Sequence, residues 1–206
     1  VPSEEIINEI KSLDDDVTID YYTFSGRGEP TLAENLGEVV DGLKKINKGP
    51  LAILTNSSLI ARYDVREALR KIDFVSLKLD AYSQESFEKI DRPAEGIEFS
   101  SIVKGMREFA NSYRGRLALQ MMFVDENKNH AKELADIAKS INPDEVQLNT
   151  PLRPSGIKPI SEQELDKIER QFKGLDMDII SVYHAEHKKV KSISAKDTLK
   201  RRGKTE

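Results

Sequence analysis

The sequence predicts an α/β protein on a parallel sheet, of partial-barrel or open doubly wound type, and three observations predict it. Strand-like and helix-like segments alternate in units of about 30 residues, the spacing of βαβ crossovers. The strand-like segments are short and mostly apolar, which reads as burial on both faces. Five or six of them fit into the 206 residues, whereas a closed eight-stranded barrel takes ~250 residues.

The elements follow in order. Ile6, Ile7, Ile10 and Leu13 recur on one face of a helix, with Ser3 as its cap and Pro2 before it. Residues 17–24 are a β-branched and aromatic run that Gly26 and Gly28 break. Ala33, Leu36, Val39, Val40, Leu43 and Ile46 then have helical spacing up to Gly49-Pro50. Residues 51–55 are a buried-type strand. Asp64 and Glu67 have capping-box spacing ahead of Val65, Ala68, Leu69 and Ile72. Residues 74–79 make the next strand, and Ser83 caps a short helix with Phe87 and Ile90. A longer helix carries Ile102, Val103, Met106, Phe109, Ala110 and Tyr113. A strand over 117–124, a helix with Leu134, Ile137, Ala138 and Ile141, and a strand over 145–149 come next. Ser161 and Glu164 form a second capping box before Leu165, Ile168 and Phe172, and 178–183 reads as a last strand. The first element is a helix with no strand ahead of it, so the barrel is expected to lack its first strand. Three regions result: a core over 1–160, a helix and strand packed on it over 161–187, and a basic linker or further module over 188–206.

Composition narrows the function. Apolar residues are 38% and charged residues 33%, with 32 Lys+Arg against 36 Asp+Glu and a net charge of −4. That balance gives no global attraction to nucleic acid, although the last residues form a basic tail. No apolar run approaches the ~20 residues of a membrane span, and no signal segment stands at the start. A soluble, cytoplasmic chain without a membrane partner is expected. Cysteine is absent. This excludes disulfides, a thiolate nucleophile, Cys-held zinc and a thiolate-held iron–sulfur cluster within these residues.

Chemistry in parallel α/β proteins gathers at the C-terminal ends of the strands. Those ends read Ser25-Gly26-Arg27-Gly28-Glu29-Pro30, Thr55-Asn56-Ser57 and Lys78-Leu79-Asp80-Ala81. Val124-Asp125-Glu126-Asn127 and Gln147-Leu148-Asn149-Thr150-Pro151 complete the set. Each alone is ordinary turn and cap chemistry. Together they point to a ligand rim, above all Glu29 between Gly28, which lets backbone approach a ligand, and Pro30, which stiffens the loop. Gly26-Arg27-Gly28 lacks the third glycine of a dinucleotide fingerprint, and neither a phosphate-loop lysine motif nor Gly-x-Ser-x-Gly is present. His184 and His187, three apart, read as solvated histidines ahead of a metal pair, and His130 and Asp14-Asp15-Asp16 as a helix start and a polar turn. Two further readings stay open. Glu29 and Asp80 permit a cluster-free enzyme, using them as acid and base or as Mg or Mn ligands on a sugar-type substrate. The basic tail permits a noncatalytic RNA-binding or docking module.

Phe24-Ser25-Gly26-Arg27-Gly28-Glu29-Pro30-Thr31-Leu32 resembles the radical S-adenosylmethionine (SAM) superfamily, which has a Gly-Glu-Pro loop after its second strand. Leu54-Thr55-Asn56-Ser57-Ser58-Leu59 resembles the family's third-strand Thr-Asn-Gly, and Ser76-Leu77-Lys78-Leu79-Asp80-Ala81 its fourth-strand segment. Asp91-Arg92-Pro93, Gln120-Met121-Met122-Phe123-Val124 and the run from Gln147 to Pro154 are most similar to the wyosine-synthetase-like, tRNA-modifying branch. The likeness covers roughly residues 1–160.

The resemblance implies a partial (β/α)6, TIM-like barrel that cleaves SAM reductively to a 5′-deoxyadenosyl radical, with an electron donor as partner and RNA or tRNA as the suggested substrate. It places the methionine amino group against the backbone of Gly26, Gly28 and Glu29, beside Pro30. Asn56, Ser57, Lys78 and Asp80 would face the carboxylate and ribose, and Asn149 and Thr150 would border the adenosine. The family holds a 4Fe-4S cluster by Cys-x3-Cys-x2-Cys after its first strand. This chain has no cysteine, and Val1 aligns just after that loop. The expectation is therefore a truncated enzyme whose cluster segment lies upstream, with these residues unable to bind the cluster and inactive alone. Residues 198–206 resemble the opening of a small helical module of the same branch.

Overall fold

The computed structural model describes residues 1–14, 19–26, 28–154 and 156–186. Among these residues six strands form one parallel sheet: β1 (Tyr22–Phe24), β2 (Leu51–Thr55), β3 (Phe74–Lys78), β4 (Arg116–Met122), β5 (Glu145–Asn149) and β6 (Asp178–Ser181). Their order is β1-β2-β3-β4-β5-β6, so every neighbour in space is a neighbour in sequence. A doubly wound sheet needs a reversal of strand order, and none occurs. The sheet is that of a partial TIM-like barrel.

Among the described residues seven α-helices connect or precede the strands: α1 (Ser3–Lys11), α2 (Leu36–Ile46), α3 (Tyr63–Leu69), α4 (Gln84–Ile90), α5 (Phe99–Ser112), α6 (Ala131–Ile141) and α7 (Glu162–Glu169). Right-handed crossovers between successive parallel strands put such helices on one face of the sheet. Register confirms the segregation. Ile53, Val75, Leu77, Leu117, Leu119, Met121, Val146 and Leu148 share a face and are buried against helix residues such as Leu69, Met106, Phe109 and Leu134. Each such side chain contributes about 1.5–3 kcal/mol by leaving water. Helix α5 comes so close to the turn after β2 that a Cβ on Gly105 would lie 2.9 Å from the Ala61 nitrogen.

The opposite face is polar. It carries Thr23, Leu54, Ser76, Lys78, Gln120, Met122, Gln147, Asn149 and Ile180, most of them half-buried or exposed. Burial on both faces, expected from the apolar runs, is therefore corrected: β4 and β5 alternate, as a sheet with one helix-covered face must. At the N-terminal end of this polar face Arg116 pairs with Glu145 at 2.6 Å and with Asp178 at 3.3 Å. The Glu145 side chain is only 5% exposed, so without Arg116 it would be an uncompensated buried charge.

Local expectations divide. The capping boxes at Ser83, with Ser86 as partner, and at Ser161, with Glu164, are both formed. Ser3 is not a cap: Pro2 takes that position, and the Ser3 hydroxyl donates to Glu38 on α2 at 2.7 Å. Asp64 does not close a capping box on α3, because its carboxylate pairs with Arg62 instead. Helix α2 starts at Leu36, after a 3-10 turn over Pro30–Leu32, and is stopped by Asn47 in the left-handed region at φ 53 rather than by Gly49-Pro50. Strand β1 begins at Tyr22, and residues 15–18 of the expected strand and turn lie outside the described residues. In the 161–187 region β6 pairs with β5 along the edge of the same sheet. Residues 187–206, and with them the basic tail, lie outside the described residues. Among the described residues no helix is long and apolar enough to cross a membrane.

Candidate functional site at the C-terminal rim

Parallel strands end on one rim, and the loops that follow carry the residues singled out in the sequence. After β1 the backbone at Gly26 and Gly28 is exposed, and a Cβ at either position would meet no atom within 4 Å. Arg27 lies outside the described residues. Glu29 then turns inward. Its Oε1 accepts from the Thr31 amide (3.0 Å), the Thr31 hydroxyl (2.7 Å) and the Thr55 hydroxyl (2.6 Å). Its Oε2 accepts from the Asn56 amide at 2.6 Å. Pro30 opens the 3-10 turn that Glu29 caps. The carboxylate thus fastens the first rim loop to the end of β2. Both oxygens accept hydrogen bonds, so the carboxylate of Glu29 is engaged in holding the loop.

At the end of β2, the Asn56 side chain accepts from the Ser58 amide at 3.0 Å in a local turn. Ser57 takes φ 67, the left-handed conformation in which glycine costs least. Its side chain is buried, 1% exposed, and its Oγ has no hydrogen-bond partner.

The end of β3 is an ionic knot. Lys78 Nζ lies 2.5 Å from Asp80 Oδ2 and 3.0 Å from Asp91 Oδ1. Burial opposes the Lys78 charge, but Asp80 and Asp91 outweigh it and raise its pKa. Asp80 is 3% exposed, and burial pushes its carboxyl up to about 6 against the pull of Lys78. Its Oδ1 also accepts from the Met122 amide of β4 at 2.9 Å. Asn127, which the sequence placed in the strand-end set without a role, joins the same ends. It is fully buried, accepts from the Val124 amide (2.9 Å) and donates to the carbonyls of Asp80 (2.8 Å) and Met122 (3.0 Å). An asparagine three residues past a strand end was the available signal, but its partner Asp80 is distant in sequence.

At the end of β5, Asn149 stands half-buried on the polar face and its carbonyl accepts from the Phe123 amide at 2.7 Å. Thr150 is buried, and its hydroxyl accepts from the Ile160 amide at 3.0 Å, folding the loop between β5 and α7. The rim therefore carries Gly26, Gly28, Glu29, Pro30, Asn56, Ser57, Lys78, Asp80, Asn149 and Thr150 at the ends of β1, β2, β3 and β5. Glu29 and Asp80, however, share no hydrogen-bond or ion-pair partner. His130 stacks on Tyr82 with ring centroids 3.9 Å apart, and His187 lies outside the described residues.

A family model described as the Radical SAM superfamily matches residues 1–138. The chain belongs to the radical SAM superfamily. It is 35% identical over 159 residues to the "UPF0026 protein slr1464" of Synechocystis sp., covering 77% of this chain and 60% of the relative. With the "UPF0026 protein MJ1312" of Methanocaldococcus jannaschii it shares 37% over 153 residues, 73% of this chain and 47% of the relative. The chain thus spans about half to three fifths of those curated relatives. Among solved structures, SuiB of Streptococcus suis bound to S-adenosylmethionine aligns at TM-score 0.69 and 15% identity, over 88% of this chain and 43% of that one. Archaeal TYW1 aligns at TM-score 0.59 and 16% identity, over 84% and 59%. These structures share the fold.

Two groups that go with a radical SAM protein can be tried against this rim. SAM fits it: open backbone at Gly26 and Gly28, an orphaned buried hydroxyl at Ser57, a fixed ammonium at Lys78 and the Asn149 amide are donors and acceptors suited to an amino-acid zwitterion joined to a nucleoside. A 4Fe-4S cluster does not fit these residues, because none of them supplies a thiolate.

Proposed function

We propose that this rim binds SAM and that the chain is the SAM-holding barrel of a radical enzyme that cleaves SAM reductively. The observation that carries the reading is the Glu29 clamp. Four hydrogen bonds converge on one carboxylate: two from Thr31 shape the Gly-Glu-Pro loop and two from Thr55 and Asn56 hold it against the end of β2, leaving its glycine backbone free to face a ligand. Glu29 acts as a positioning residue: it sets the loop, and the backbone of Gly26 and Gly28 receives the methionine amino group. Lys78, held by Asp80 and Asp91, offers positive charge to the methionine carboxylate, and the Ser57 hydroxyl and Asn56 complete that end. Asn149 and Thr150 border the nucleoside, with Asn149 supplying a half-buried amide.

Reductive cleavage of the sulfonium would yield methionine and a 5′-deoxyadenosyl radical and would need one electron from a reductant that these residues do not supply. A cluster that supplied that electron would need thiolates from outside these 206 residues, so these residues alone are expected to bind SAM weakly and not to cleave it. The motif likeness of Asp91-Arg92-Pro93 and the run after β5 to the wyosine-synthetase-like branch extends the proposal to RNA, tRNA above all, as substrate. A reducing, cytoplasmic setting suits such chemistry.

The test is anaerobic reconstitution of the complete polypeptide with iron and sulfide, followed by reduction in the presence of SAM. The expected product is 5′-deoxyadenosine, formed faster when tRNA is added. A reconstituted, cluster-loaded protein that leaves SAM intact would refute the reading, and cleavage indifferent to tRNA would remove the substrate assignment alone.

A further inference from the structure

The sheet face that no helix covers holds a side chain that the proposed function does not use and the fold does not engage. Gln120 lies on the interior strand β4, half-buried, with Lys78 of β3 and Gln147 of β5 as its register partners. Its polar neighbours on that face are spoken for. Lys78 is held by Asp80 and Asp91, the Gln147 amide donates to Glu145 at 2.7 Å, and Arg116 pairs with Glu145 and Asp178. The Gln120 side-chain amide has no partner among the described residues. Met122, one step nearer the rim on β4, and Ile180, beyond Gln147 on β6, add half-buried apolar surface to the same face.

We propose that Gln120 is a specificity-determining residue that hydrogen-bonds the edge of an unpaired nucleobase in the substrate. The inference rests on the SAM reading of the rim and deepens it. That reading sets the methionine end against the ends of β1, β2 and β3 and the nucleoside against the end of β5. The ribose 5′ carbon that joins them therefore lies over the end of β4, and the residues of β4 on the uncovered face there are Met122 and then Gln120. Same-face residues are ~6.6 Å apart along a strand, so a ring held by Gln120 sits directly below that carbon. The side chain selects the ring by its chemistry. A carboxamide presents a donor and an acceptor in one plane, which matches a base edge that presents an acceptor beside a donor. The cations on this face, Lys78 and Arg116, are already matched by carboxylates, so the face suits a neutral group over a phosphate. Strand β4 is hydrogen-bonded to a strand on each side and has no backbone to offer an incoming peptide strand. A base reaches this depth only unstacked, so the target nucleotide is single-stranded or flipped out.

The experiment follows the side-chain amide resonances of Gln120 and Asn149 in the 206-residue chain by NMR. Saturating SAM should move the Asn149 amide. Adenosine, guanosine, cytidine and uridine are then added separately at millimolar concentration, and at least one should move the Gln120 amide saturably while Asn149 keeps its SAM-bound position. Ribose 5-phosphate should leave Gln120 still. Gln120→Leu should weaken that nucleoside's binding, read at the Met122 methyl, about tenfold. Gln163→Leu, exposed on α7, should leave it unchanged. The titration of the unmodified chain decides the matter even if Gln120→Leu fails to fold. A Gln120 amide that no nucleoside moves while SAM binds would overturn this inference and leave the SAM reading standing. So would movement that occurs only as SAM is displaced, or movement with N-acetylglycinamide in place of a nucleoside, which would make the substrate a peptide. A rim at which SAM moves nothing refutes the reading itself, and the inference falls with it.

Discussion

Replacing Glu29 tests the physical core of the rim. Its carboxylate accepts from two hydroxyls and two backbone amides. A hydrogen bond to a charged acceptor stabilises by about 1.5–3 kcal/mol net, and a buried donor left bare costs about 1–3 kcal/mol. The four contributions do not sum. Asn56 is exposed, so its amide recovers water in the variant. Thr31 and Thr55, each only 6% exposed, have far less water to turn to. Glu29→Ala should therefore destabilise the chain by roughly two bonds' worth, about 3–5 kcal/mol, a large part of the ~5–15 kcal/mol of a typical domain. Glu29→Gln keeps the shape and one acceptor oxygen for the threonines but sets an N–H against the Asn56 amide, so about 1–3 kcal/mol is expected. Urea unfolding followed by circular dichroism measures both. If Glu29→Ala unfolds within 0.5 kcal/mol of the unmodified chain, an ordinary tolerance for surface substitutions, Glu29 does not clamp the loop and the positioning role assigned to it fails.

Three further predictions follow from the same site. Asp80 has a folded-state pKa of about 6, above its unfolded value, so the folded chain binds more protons between about pH 4 and 6 and its stability falls as pH rises through that window. Asp80→Asn should remove this fall. The difference between the two stability–pH curves should change by about 2–3 kcal/mol across the window, and a flat difference would mean burial does not govern Asp80. Asn127→Ala strips three hydrogen bonds from a fully buried side chain and should cost about 2–5 kcal/mol. Asn127→Asp should cost more in the same thermal melts, because a carboxylate would face the carbonyls of Asp80 and Met122. Ser57→Gly, at φ 67, should instead stabilise by up to about 1 kcal/mol in urea, since relief of the left-handed strain outweighs glycine's added chain entropy.

The sequence was most informative where one local force decides. Strand β5 occupies the expected residues 145–149, and the Ser83 and Ser161 caps formed, because each needs only neighbours within a few residues. It was least informative where a side chain chose a distant partner. Ser3 left its own helix end for Glu38, 35 residues away. Asp64 missed its cap for a local reason, because Arg62, two residues back, takes its carboxylate. The rim set was legible as residue types at strand ends. The task of Glu29 was not, because its partners Thr55 and Asn56 lie 26 and 27 residues on.

The order of amino acids by itself determined the alternation of strands and helices, the motifs that place the chain in its family, and the absence of any thiolate for a cluster; these depend on residue type and short-range period. Tertiary structure alone decided that the sheet runs in sequence order, that its uncovered face is polar, that Asn127 locks Asp80 from 47 residues away, and that Gln120 stands between Lys78 and Gln147 on that face. Those outcomes rest on pairings between remote segments, and their geometry exists only once the crossovers have closed.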